Sequence, residues 1–293
     1  MFDLWRLLIQ FVFRVTWGLA LALGVTSSRQ VTSGYFQKHL WVLMGLNTLA
    51  SLAIYSQRTR LSRDGLGSGL LLSLGIGLAV ASYVGSVCWL AERARAGRWS
   101  LAVISLVALS ASYAVVPWSA LLAPSGTGGR AASVNASGAA SNAEGGVERA
   151  SDWVVRCLTV SDLVTSGLFL GLILAAMFLG HWYLNTPTMQ LAPLRKLVVL
   201  LAVSIVLRGI VSAVGVWLRS RYAAELPTEF WIFLSLRWLA GLVGTLAIAL
   251  LTWQTLKIPN TQSATGLLYA GVVLAFIGEL TSQLMSAGQW CPV

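Results

Sequence analysis

FWIFLSLRWLAGLVGTLAIALLTW, residues 230–253, and GLLYAGVVLAFIGELTSQLMSA, residues 266–287, decide how this chain is read. As helices rising about 1.5 Å per residue, both are long enough to cross the roughly 30 Å hydrocarbon core of a bilayer. Each holds one formal charge well inside the crossing, Arg237 in the first and Glu279 in the second. A charge at that depth costs about 3 kcal/mol or more unless it is paired or wetted, so it marks a site.

Working outward, the same apolar run recurs at 7–25, 39–56, 69–91, 101–122, 159–184 and 194–217. The 293 residues are 57% hydrophobic and 10% charged, with a mean hydropathy of +0.76. A soluble domain would carry about 25% charged residues. The expected fold class is therefore an all-α polytopic membrane bundle of eight transmembrane helices. Residues 1–123 form one four-helix half and 151–293 the other. Between them, the Gly-, Ala- and Ser-rich segment 124–150 has no apolar period and reads as a flexible loop.

The net charge of +10 does not point to nucleic acid, because Lys and Arg sit at the ends of apolar runs and form no basic stripe. The partner that this placement implies is the lipid bilayer. Cys88, Cys157 and Cys291 show no metal-binding spacing. The first run contains Arg14 and no small-residue cleavage site follows it, so it reads as an uncleaved span. Eight spans place both termini on one side. The loops of the other side hold Arg29, Lys38, Arg93, Arg95, Arg98, Arg195, Lys196 and Lys257 against Glu92 alone. The termini-side loops hold six, Arg6, Arg58, Arg60, Arg63, Arg219 and Arg221, with Asp3, Asp64, Glu225 and Glu229, so by the positive-inside rule eight Lys and Arg against six favour both termini outside, across a bacterial inner membrane. Cys157 and Cys291 would share that outer side, where a disulfide can form.

Counted in from the termini side, Arg14, Arg208, Arg237 and Glu279 all fall roughly 10–14 Å deep. Polar neighbours extend these positions into stripes: Arg6, Gln10 and Arg14; Ser204, Arg208 and Ser212; Glu279, Ser282, Gln283 and Ser286. Glu279, Arg237, Arg208, Arg14 and Gln283 are the candidate ligand-binding residues. The layer reads either as a helix staple, Glu279 pairing Arg237 or Arg208 while Arg14 snorkels outward, or as a cationic pocket for an anionic or carbonyl-bearing ligand. Asp162, Thr165 and Ser166 share one face at the same surface, with Asp162 shallow enough to be a solvated helix end. His39 and His181 lie near the opposite surface, as members of an aromatic belt or as the two axial ligands of a haem b. No phosphate-binding loop, HExxH helix or Ser-His-Asp order is present.

Eight spans, the Arg in the seventh and Gly278-Glu279-Leu280 in the eighth resemble the membrane-anchor subunits of dimethyl sulfoxide reductase and NrfD-type polysulfide reductase complexes. The resemblance implies a helical bundle that holds no metal itself and exchanges electrons between membrane quinone and an iron–sulfur partner, with a catalytic subunit beyond. It would be a subunit of an oxidoreductase and not an enzyme on its own. In it, Glu279 would handle the proton of quinol chemistry while Arg237 and Arg208 orient the quinone oxygen or hold Glu279 ionised. Two other functions fit the residues. One is a transporter of a small anionic or proton-coupled solute, which broken helices would favour, although no proline interrupts the spans that carry the layer. The other is a structural or assembly protein with no small ligand.

Overall fold

In a computed structural model of the protein, residues 4–63, 67–116, 152–186, 189–222, 228–258 and 260–287 are described. They form α1 (Leu4–Val25), α2 (Ser33–Ser56), the short α3 (Arg58–Arg63), α4 (Ser68–Leu90), α5 (Ala94–Ala114), α6 (Asp152–Asn185) and α7 (Ala192–Tyr222). Next come α8 (Thr228–Leu236), a π-helical segment (Arg237–Gly244) and α9 (Thr245–Thr255), which together make one continuous span. The last helix is α10 (Thr261–Ser286). Among the described residues there is no strand. The chain is an all-α, multi-pass membrane protein.

Among the described residues, seven of the eight long helical rods are long and apolar enough to cross a membrane. The exception is α5, whose first turns carry Arg95 and Arg98. It nevertheless traverses the bundle beside α1. Ser105 Oγ donates to the Trp17 carbonyl at 3.2 Å. Arg6, near the start of α1, donates through Nη2 to the Val115 carbonyl just past α5 at 2.8 Å. The start of α1 and the end of α5 consequently lie at one end of the bundle. Large apolar side chains such as Ile76, Val80, Leu106, Leu239 and Val273 remain exposed on the outside. Water would penalise that surface, whereas lipid covers it without cost.

Several expected spans begin too late. The second starts at residue 33 instead of 39, the fourth at 94 instead of 101, and the fifth at 152 instead of 159. Helical hydrogen bonding continues through the interface beyond the hydrocarbon edge, and hydropathy sees only that edge. Segment 124–150 and Cys291 lie outside the described residues, and Cys157 is exposed and free. Asn260 caps α10, its Oδ1 accepting from the Ser263 amide at 3.0 Å.

The most enclosed helix is α6, with α1, α5, α7 and α10 packed around it. Two glycine contacts set the closest approaches. A Cβ on Gly18 would lie 1.7 Å from the Gly167 carbonyl oxygen, and one on Gly171 would lie 1.9 Å from the Gly18 carbonyl carbon. Backbone therefore meets backbone between the parallel helices α1 and α6. Across the bundle, a Cβ on Gly241 would come within 2.6 Å of the Gly278 Cα, joining the π segment to α10. Without a hydrophobic drive inside lipid, such close packing is what holds helices together.

Gly171→Ala should force α1 off α6 and lower the thermal unfolding midpoint in detergent, by overpacking worth about 1–3 kcal/mol or more. Gly45→Ala, where an added Cβ meets nothing within 4 Å, should leave the midpoint unchanged. Equal midpoints for the two variants would rule out the backbone contact.

Candidate functional site

One turn before Gly18 stands Arg14, and five residues before Gly167 stands Asp162. The α1–α6 contact thus brings the two side chains together, Arg14 Nη2 lying 3.0 Å from Asp162 Oδ2. From α7, Arg208 reaches the same carboxylate, with Nη1 2.5 Å from Oδ1. Its other edge grips Glu279 of α10, Nε donating to Oε1 at 2.7 Å and Nη2 to Oε2 at 3.1 Å. Arg208 Nη2 also donates to Ser282 Oγ at 3.1 Å, and Ser166 Oγ of α6 donates to Glu279 Oε2 at 2.5 Å. The outcome is an Arg14–Asp162–Arg208–Glu279 chain across four helices, with Arg208 fully enclosed (0% exposed) and both carboxylates buried.

Two expectations change here. Asp162 is a buried bridge between two arginines and not a solvated end, because α6 begins at Asp152 and places it ten residues inside the helix. Arg14 does not snorkel to the surface. It is buried and ion-paired through Nη2, because Asp162 supplies a partner at its own depth, while its Nε and Nη1 have no partner among the described residues. The shared face of Asp162, Thr165 and Ser166 is the sequence signal for this bridge, obscured because the apolar run starts seven residues after the helix does.

Arg237 stays outside the chain. It is 1% exposed, yet neither Nη1 nor Nη2 has a hydrogen-bond partner among the described residues. Gly241 against Gly278 sets the antiparallel register of this span with α10, which brings Arg237 level with Ser282 and Gln283. Both polar atoms of the Gln283 side chain are buried and unpartnered, as is Ser212 Oγ, one turn beyond Arg208 on α7. Toward the termini end, Phe230, Met285, Val216 and Leu234 close over this level with an apolar cluster. Unmet donors in such a place are costly, at about 1–3 kcal/mol for a neutral group and more for a charged one. Among the described residues the layer holds three arginines against two carboxylates, an excess of one basic group.

The span is continuous, as the absence of proline predicted, but its helical winding is irregular. Eight residues beginning at Arg237 are π-helical. Gly241 and Gly244 lack the side chains that favour a regular α-turn, and the backbone lies directly against Gly278. Such segments recur at functional sites.

At the opposite end, His39 is buried with Nδ1 2.5 Å from the Tyr35 carbonyl, and its ring packs beside Tyr35 and Phe178. His181 is exposed, with Nδ1 3.3 Å from the Tyr269 hydroxyl. Both sit among aromatic rings of α2, α6 and α10 and away from the charged layer. A separate apolar cavity of about 200 Å³ lies between α1, α2, α6 and α10, lined by residues including Phe11, Val15, Leu46, Phe178 and Phe276. Comparison with protein-family models, with curated proteins and with solved structures finds no match.

Arg208→Met leaves two buried carboxylates without their shared cation. It should destabilise the folded protein by roughly 3–5 kcal/mol, seen as a large fall in the thermal midpoint. Arg14→Met should cost less, because Asp162 keeps Arg208. A near-normal midpoint for Arg208→Met would mean that the chain of charges holds nothing together.

Proposed function

We propose that this multi-pass protein binds a membrane quinone at Arg237 and serves as the membrane subunit of a redox complex. The observation that carries this reading is the buried guanidinium of Arg237, with two nitrogens that no protein acceptor meets. Its natural complement is an oxygen acceptor such as a quinone carbonyl, with Gln283 Nε2 and Ser212 Oγ as further donors at the same level. The apolar cluster between this level and the termini end favours a lipid-soluble ligand over a hydrated one.

In this reading the rest of the layer is a support. Both oxygens of Glu279 are occupied by Arg208 and Ser166, so Glu279 fixes Arg208 in place and balances charge. Proton exchange at Glu279 would first require release from Arg208. The resemblance to reductase anchor subunits supplies the partner, an iron–sulfur subunit that passes electrons to or from the quinone. The excess of Lys and Arg in the opposite loops supports an inner-membrane orientation with both termini outside.

A second reading, a carrier of a small anionic solute, draws on the π segment. The helix is irregular at the very residue that would hold the anion, and irregular helices at a midplane site are a feature of transporters.

Protein purified in mild detergent should carry extractable quinone, and Arg237→Gln should weaken quinone binding by about tenfold or more, the usual worth of a hydrogen bond to a charged group. The thermal midpoint of Arg237→Gln should hold or rise, since the substitution removes an unmet buried charge. If wild type retains no quinone and Arg237→Gln melts early, Arg237 is structural. Uptake of a labelled carboxylate into liposomes, abolished by the same substitution, would favour the carrier.

A further inference from the structure

On the far side of the bundle from Arg237, α5 begins with an unusual face. Arg95, Arg98, Trp99 and Ala102 follow one another at the i, i+3, i+4 and i+7 spacing of a single helix side, and they line a shallow cleft of about 270 Å³. Both arginines are exposed, and neither makes a hydrogen bond or ion pair among the described residues. The nearest acid in the sequence, Glu92, forms no ion pair with them. Trp99 is 74% exposed. One turn deeper, Val103 and Leu106 are exposed on the apolar part of the same helix.

The corner that presents this face is braced. The α4–α5 turn closes through the Arg93 amide on the Cys88 carbonyl at 2.9 Å and the Gly97 amide on the Arg93 carbonyl at 3.0 Å. A Cβ on Gly97 would lie 2.6 Å from the Trp89 ring, and Trp89 stacks on Phe36 with centroids 4.1 Å apart. The start of α5 is thus packed against Trp89 of α4, which stacks in turn on Phe36 of α2.

We propose that this cleft binds the headgroup phosphate of an anionic phospholipid. Descending the face, the chemistry runs from two free guanidiniums, through an interfacial indole, to small and apolar side chains. A phospholipid has the same order, from phosphate through glycerol to acyl chain. Arginine suits a phosphate by its fork of donors, and tryptophan suits the headgroup boundary. Free phosphate would match only the top of the face and would leave Trp99 and the small residue Ala102 without a role. The loops of this side hold the excess of basic residues, so the charge complementarity extends beyond the cleft.

The test uses the full chain in nanodiscs of mixed phosphatidylglycerol and phosphatidylcholine, with co-released lipid counted by native mass spectrometry. Wild type should enrich phosphatidylglycerol, and Arg95→Gln with Arg98→Gln should reduce the enrichment by about fivefold for each arginine removed. Arg58→Gln, an exposed arginine at the opposite end beside the Tyr55 ring, should change little. Trp99→Ala should weaken retention of phosphatidylglycerol without altering competition by inorganic phosphate. Equal enrichment in the double variant overturns the proposal, as does an equal loss in Arg58→Gln. Complete displacement of the lipid by millimolar inorganic phosphate would make the cleft a soluble-anion site and overturn it too.

Discussion

Inside a bilayer, the guanidinium of Arg208 holds two carboxylates on two different helices, and the rest of the bundle is arranged so that it can. Asp162 on α6 and Glu279 on α10 would each be untenable as a bare anion in hydrocarbon. Arg208 between them turns three costly groups into one hydrogen-bonded unit, extended by Arg14 at one end and by Ser166 and Ser282 at the other. A pair of charges taken from water seldom adds net stability. What the unit provides is a fixed register: four helices must meet at one height, or a charge is stranded.

The register depends on glycine. Gly18 against Gly167 and Gly171 brings α1 and α6 to backbone contact, and Arg14 then falls beside Asp162. Gly241 against Gly278 does the same for the seventh span and α10. There the result differs, because Arg237 comes to the charged level after the carboxylates have been taken. In the Arg208-centred unit all four carboxylate oxygens are occupied, whereas two nitrogens of Arg14 and two of Arg237 find no partner among the described residues; of the two, only Arg237 has no carboxylate of its own. The π segment starts at Arg237, and Gln283 and Ser212, unpaired among the described residues, lie at its level.

The two ends of the molecule face different surroundings. Beyond Arg237, an apolar cluster of Phe230, Met285, Val216 and Leu234 shields the site. At the other end, aromatic rings surround His39 and His181, while Arg95, Arg98 and Trp99 stand exposed at the head of α5. This end carries the basic excess, so contact with an anionic leaflet and binding at Arg237 would be separate properties of opposite ends.

Much of the fold was legible in the sequence, because a bilayer demands long apolar helices and shows few other patterns. The depth of Arg14, Arg208, Arg237 and Glu279 could be counted from span ends, and the polar stripes around them follow from helical periodicity. Asp162 was misread because hydropathy marks the hydrocarbon edge, whereas α6 continues past it to Asp152. The π segment was invisible, since no proline announces it and its setting is a contact with Gly278 on another helix. Sequence by itself therefore determined the apolar spans and that Arg14, Arg208, Arg237 and Glu279 lie within them. Which charge meets which partner, and that Arg237 is left over, was decided only by tertiary packing, because pairing depends on the rotation and spacing of neighbouring helices, and here those are set by backbone contacts between glycines far apart in the chain.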